Sequence, residues 1–220
     1  MRALVIGASG GIGAALTKRL QDQGAEVTPL SRSADGLDVT DEASIDAALA
    51  PLEGDYDLIF CATGGLSIDG QAPEKTLKHL DATRLAQQFA LNAIGPALVL
   101  KHALRLMPRD RRSVFAALSA RVGSIGDNRA GGWYGYRAAK AALNQFLHTA
   151  AIEVARTHPQ AIVALLHPGT VATPLTEKYL GRHPSVPPED SANNLLRVIA
   201  DLSPEESGAF FDWAGKRVVW

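Results

Sequence analysis

Apolar residues in this chain come in short unbroken runs, set between longer segments where they recur at helical spacing. The runs are Ala3-Leu4-Val5-Ile6, Leu58-Ile59-Phe60-Cys61-Ala62, Val114-Phe115-Ala116-Ala117-Leu118 and Ala161-Ile162-Val163-Ala164-Leu165-Leu166. A run of this length without polar alternation predicts a strand covered on both faces, as in a parallel sheet flanked by helices. Strands are accordingly predicted over 2–7, 26–31, 36–39, 57–62, 113–119, 161–166 and 209–211. The intervening pattern predicts helices from Ala14, from Asp41 to Ala50 with Asp41 as cap and Ser44 in the first turn, and from about Glu189 to Ala200. A long helix is expected over roughly Asp81 to Met107, broken or bent at Asn92-Ala93-Ile94-Gly95-Pro96. Another carries an apolar stripe, Leu143, Phe146, Leu147, Ala150, Ala151 and Val154, that is either core or subunit interface, and it ends at His158-Pro159. The fold class is α/β: one doubly wound domain spanning 1–220, with a seven-stranded, mainly parallel sheet and helices on both faces.

Composition narrows the function classes. The 220 residues are 46% hydrophobic and 20% charged, with a formal net charge of -1, which fits a globular core and argues against a dedicated nucleic-acid surface. The densest basic cluster, Arg105, Arg109, Arg111 and Arg112, reads as a solvated turn. A single cysteine, Cys61, excludes an intrachain disulfide and a cysteine-cluster metal site, so no metal is expected. No stretch approaches the roughly 20 apolar residues of a membrane helix. Met1 to Gly7 reads as a core strand rather than a leader, and a cytoplasmic location is expected.

The chemistry-bearing residues fall where predicted strands end. Gly7-Ala8-Ser9-Gly10-Gly11-Ile12-Gly13 links the first strand to a helix, the order a dinucleotide site requires: glycines let the backbone approach a pyrophosphate, and the helix N-terminus attracts the anion. No Gly-Lys-Ser/Thr follows, which excludes a Walker A loop. The second strand ends at Ser31-Arg32, where an acid would bind the ribose of NAD. A serine does not repel a 2′-phosphate and an arginine pairs with one, so NADP(H) is expected over NAD(H). Thr63-Gly64-Gly65 opens a loop at the ligand-binding edge, and Ser119 ends a strand there with a hydroxyl. Tyr136 and Lys140 stand four positions apart near a helix start, so they share a face. An ammonium there, with the helix dipole, would hold the phenol below its usual pKa and fit it for proton transfer to a carbonyl. Residues from Pro174 to Pro188, rich in proline and glycine, read as a mobile loop over the site.

Taken in this order, the glycine turn, Asn92, Ser119, Tyr136/Lys140 and Pro168-Gly169 resemble the short-chain dehydrogenase/reductase family over nearly the whole chain. The loop from Gly126 to Trp133 and the Tyr-Arg pair are similar to its small carbonyl-reductase and C-factor-like branch. The resemblance implies a Rossmann fold and a catalytic tetrad of Asn92, Ser119, Tyr136 and Lys140. In that tetrad Ser119 and Tyr136 hold the substrate carbonyl, Lys140 binds the nicotinamide ribose, and Asn92 supports a proton relay through water. It implies cofactor contacts at Gly7, Ser9, Gly10, Gly11, Ile12, Gly13, Ser31, Arg32, Asp38 at the adenine, Val39, Ala62, Thr63, Gly64, Tyr136, Lys140, Pro168, Gly169, Val171 and Thr173. It also implies a homodimer or homotetramer.

The chain departs from the family pattern twice. Cys61-Ala62-Thr63-Gly64 stands where the family usually has Asn-Asn-Ala-Gly, and the usual serine pair reads Ser119-Ala120. Three arrangements stay open: Ser119 acting one position out of register, Ser124 in its place, or no serine, as in pteridine-reducing relatives. The function expected is NADP(H)-dependent reduction of a small ketone, aldehyde or quinone, or the reverse oxidation, with Tyr136 as general acid/base. A pteridine reductase-like enzyme and a non-catalytic NADP-sensing signalling protein are the alternatives. No nucleic-acid or membrane partner is expected.

Overall fold

The structure, a computed structural model, describes residues 1–177 and 184–220. Six strands form one sheet in the order β2-β1-β3-β4-β5-β6: β1 (Arg2–Ile6), β2 (Glu26–Leu30), β3 (Leu58–Cys61), β4 (Ser113–Leu118), β5 (Ala161–His167) and β6 (Phe210–Asp212). All neighbouring pairs are parallel. The helices are α1 (Gly11–Asp22), α2 (Arg32–Asp35), α3 (Glu42–Leu49), α4 (Ala82–Phe89), α5 (Gly95–Ala103), α6 (Tyr134–Val154) and α7 (Pro188–Asp201).

The two-residue alternation of each strand divides the core. Leu4 and Ile6 of β1 point with Phe115 and Ala117 of β4 toward Val99 on α5 and Leu143 and Leu147 on α6. Ala3 and Val5 point with Val114 and Ala116 toward Leu16 and Leu20 on α1 and Leu195 and Ile199 on α7. Both faces of β1, β3, β4 and β5 are therefore buried, which is why these strands carry no polar alternation. Pro29, inside β2, is tolerated because β2 is an edge strand and one missing N–H breaks no interior ladder.

The structure corrects the strand count from seven to six. Residues 36–39 do not pair with the sheet; Leu37 and Val39 are buried as anchors of the crossover to α3. Their backbone is spent locally, with Leu37 N donating to Ser31 O and Asp38 N to Ser44 Oγ. The expected helix over 81–107 is interrupted by a wide π turn, Ala90–Ile94, ahead of Pro96 in the first turn of α5. Gly95 is required there: a Cβ would lie 2.5 Å from Val39 O. Residues 178–183 of the proline- and glycine-rich loop lie outside the described residues.

The chain leaves β1 for β2 on one side and returns to β3 on the other, so order reverses between β1 and β3. Open α/β sheets bind ligands at the carboxyl ends of such a pair. Gly13 fixes this edge, since a Cβ there would lie 2.1 Å from Gly7 O and drive α1 off the strand end. Gly13→Ala is expected to cost about 1–3 kcal/mol, with Tm falling about 2–4 °C per kcal/mol; a calorimetric melt at the wild-type Tm would contradict this packing.

Candidate active site

The glycine turn leaves β1 through Gly7, whose φ of +87° favours glycine and whose Cβ would meet Ala62 C and O at 3.0 Å. Gly10 N donates to Gly7 O at 3.0 Å, closing the turn, and among the described residues no side chain caps the first turn of α1. Amides of that turn are therefore left for a ligand, and the helix dipole makes an anion the suitable one. Thr173, beyond β5, reaches over the turn so closely that a Cβ on Gly11 would meet its Cγ2 at 2.6 Å. A cradle that three glycines keep free of side chains fits a dinucleotide pyrophosphate.

Three neighbouring cavities that share lining residues run along this edge. The first, about 340 Å³, is lined by Gly7, Ser9, Gly10, Arg32, Asp38, Val39, Ala62, Thr63 and Gly64. The second, about 270 Å³, keeps Ser9, Gly10 and Ala62 to Gly64 and adds Gly11, Ile12, Ser119, Tyr136, Lys140, Pro168 and Thr173. The third, about 550 Å³, is lined by Gly169 and by residues on the far side of Tyr136. Among the sequence-derived candidates, Gly13 and Val171 pack beneath this trough, and Ser31 is buried with its Oγ accepting from Ala34 N as cap of α2. Ser33, Leu37 and Leu91 also line the first cavity and were not singled out as site residues in the sequence.

Lys140 is 2% exposed, and its Nζ donates to Leu118 O at 2.8 Å and lies 5.8 Å from the Tyr136 ring centroid. Burial pushes the Lys140 pKa from 10.5 down to about 8 and that of Tyr136 from 10.0 up to about 12. This corrects the expectation of a depressed phenol: loss of water around Tyr136 outweighs the neighbouring ammonium, which is itself poorly solvated. Asn92, fully buried on the π turn, clamps the loop after β3. Its Oδ1 accepts from Gly65 N and its Nδ2 donates to Gly65 O, both at 2.9 Å, and Nδ2 also donates to Gln88 Oε1. The side chain thus serves exposed backbone groups.

Neither serine hydroxyl points at Tyr136 through a hydrogen bond. Ser119 Oγ donates to Asn144 Oδ1 on α6 at 2.6 Å, and Ser124 Oγ accepts from Asp127 N. Alternation carries Ala120, not Ser119, to the wall of the 550 Å³ cavity. Four further residues shape the site; Trp133 and Arg137 stand in stretches the sequence singled out, the loop from Gly126 to Trp133 and the Tyr-Arg pair, whereas Glu74 and His167 carried no site signal. Glu74 is buried, and its Oε2 accepts from Gly135 N at the start of α6. Trp133, in the left-handed region at φ +53°, stacks edge-on to Tyr136 with centroids 6.4 Å apart. Arg137 and His167 line the 550 Å³ cavity. Burial pushes the His167 pKa down to about 4 despite Asp212 nearby, so the ring is neutral at pH 7.

The Lys140 shift has a stability consequence. Below about pH 8 folded and unfolded chains both hold the proton, so the burial cost is present in full. Between pH 8 and 10.5 the unfolded chain binds more protons, and stability rises with pH as the cost is relieved. Lys140→Met is therefore expected to stabilise the protein at pH 7 by about 1–3 kcal/mol. Urea denaturation at pH 7 and pH 10 checks this, the gain shrinking at the higher pH.

The chain is similar over most of its length to known proteins. A family model described as "Enoyl-(Acyl carrier protein) reductase" matches residues 31–210. The chain is 33% identical over 99% of its length, and 98% of the relative's, to 1-hydroxy-2-glutathionyl-2-methyl-3-butene dehydrogenase of Rhodococcus sp. strain AD45. It is 37% identical to the C-signal of Myxococcus xanthus over 66% of this chain and 83% of that one. A Burkholderia multivorans short-chain dehydrogenase/reductase structure with bound NADP superimposes at a TM-score of 0.81 and 25% identity, over 100% of this chain and 99% of that one. The glycine cradle, the Tyr136/Lys140 helix and these likenesses lead to one conclusion: the chain belongs to the short-chain dehydrogenase/reductase family of oxidoreductases.

Proposed function

We propose that this oxidoreductase reduces a small carbonyl compound with NADPH, or runs the reverse oxidation, with Tyr136 as general acid/base. The observation that carries the reading is the position of Tyr136: it and Leu175 are the residues that line both the cavity of the glycine turn and Lys140 and the 550 Å³ cavity beyond. A carbonyl in the larger cavity meets the phenol where the two spaces join. The residues of the smaller cavities would hold NADP(H), which supplies hydride when bound. A phenol kept protonated by burial is suited to donating to the developing alkoxide, and the Lys140 ammonium beside it favours the phenolate left behind.

Two details extend the reading. Arg32 is exposed on the first cavity, while the nearby acid Asp35 is spent on Ser31 N at 2.7 Å, which supports a 2′-phosphate there and hence NADPH. The engagement of Ser119 with Asn144 supports catalysis by Tyr136 and Lys140 without a serine. The likeness to C-signal favours a nucleotide-binding signalling role as a second reading. That role would show tight NADPH binding and no oxidation over a panel of ketones, aldehydes, quinones and pterins.

Tyr136→Phe is expected to keep NADPH binding by calorimetry and to lose about 10²–10⁴ in kcat, whereas Ser119→Ala costs less than about tenfold. Equal losses in the two variants would sink the serine-free arrangement. For cofactor choice, Arg32→Glu is expected to raise KM for NADPH relative to that for NADH by about ten- to a hundredfold, read from steady-state kinetics with each nucleotide.

A further inference from the structure

Three arginines, Arg121, Arg129 and Arg137, line the 550 Å³ cavity against one carboxylate, Asp127. Asp127 serves two of them. Its Oδ2 accepts from Arg121 Nε at 2.5 Å, its charge is felt by Arg129, and Asp212 also faces Arg121. Both of those arginines are exposed.

Arg137 is placed differently. It is half-buried, and burial lowers its pKa, with no carboxylate among the described residues acting against that. Its Nε donates to Gly132 O at 2.9 Å and its Nη1 to Val122 O at 3.2 Å, which hold the guanidinium plane in the cavity wall. Among the described residues none accepts from Nη2. Glu74, the buried acid of this region, is spent on Gly135 N. Neutral carbonyls orient a cation but do not neutralise it, and withdrawing a charge from water without a counter-ion is costly. Arg137 also directly follows Tyr136 on α6, about 100° round the helix, so cation and proton donor stand on two walls of the same cavity.

Resting on the carbonyl-reductase reading, we infer that Arg137 receives a carboxylate of the substrate, so that the site takes an acidic carbonyl compound or the corresponding hydroxy acid in preference to a neutral one. The planar fork suits a carboxylate, and the two backbone carbonyls set its orientation before the ligand arrives.

The test compares 4-formylbenzoate with its methyl ester under NADPH. Wild type is expected to favour the acid by about ten- to a hundredfold in kcat/KM. Arg137→Met is expected to bring that ratio toward one, and Arg137→Lys to restore part of it. An arginine that only braced the Val122 and Gly132 loops would lower both substrates by the same factor, and that result, or a wild-type ratio of one, overturns the inference. A second arm titrates the NADP-loaded protein with benzoate and with benzamide by calorimetry. Benzoate binding that Arg137→Met abolishes supports the inference; benzoate bound no tighter than benzamide refutes it. Since this arm needs no turnover, failure to reduce either aldehyde counts against the reductase reading, while the titration still decides the role of Arg137.

Discussion

A buried ammonium whose partner among the described residues is one carbonyl is the constraint around which this site is built. Lys140 loses the water that would solvate its charge, and the hydrogen bond to Leu118 O returns part of that cost. Two loops distant in sequence are cut back to receive it. A Cβ on Gly123 would press on Lys140 Cβ at 2.8 Å, and one on Gly64 would stand 3.2 Å from Nζ. The end of β4, the loop after β3 and the first turns of α6 are therefore fixed relative to one another by the room a single side chain needs. The arrangement sacrifices stability to hold a charge beside Tyr136.

Placing Tyr136 depends on support from elsewhere in the chain. The start of α6 has no local side-chain cap, and Glu74, 61 residues away, accepts from Gly135 N instead. A carboxylate there also complements the positive end of the helix dipole. Trp133 enters the helix in a left-handed conformation after Gly131 and Gly132, both with positive φ. The π turn of Ala90–Ile94 carries Asn92 to the backbone of Gly65, so the loop bordering the 340 Å³ cavity is held by the helix pair beside α6.

Charge is distributed along the trough according to what each end would hold. The free amides of α1 and the exposed Arg32 make one end suitable for phosphates. Arginines in the far cavity make the other end electropositive as well, while between them the walls around Tyr136 are largely apolar and raise its pKa. Tyr136 thus stands in a poorly solvated middle segment, where fixed groups rather than bulk water set the electrostatics around the phenol.

The buried strands, the glycine turn, the break near Asn92 and the Tyr136/Lys140 spacing were all legible in the sequence, because each follows from local rules of periodicity and backbone freedom. Those same rules misread 36–39 as a strand: Leu37 and Val39 alternate as strand residues do, but pairing depends on whether a neighbouring edge is offered, and there the backbone found Ser31 and Ser44 instead. The direction of the Tyr136 shift, the turning of Ser119 toward Asn144, and the gathering of Glu74, Arg137 and His167 around one helix start were decided only by tertiary packing. Desolvation and long-range contact depend on what covers a residue in space, and neighbours in sequence do not specify that.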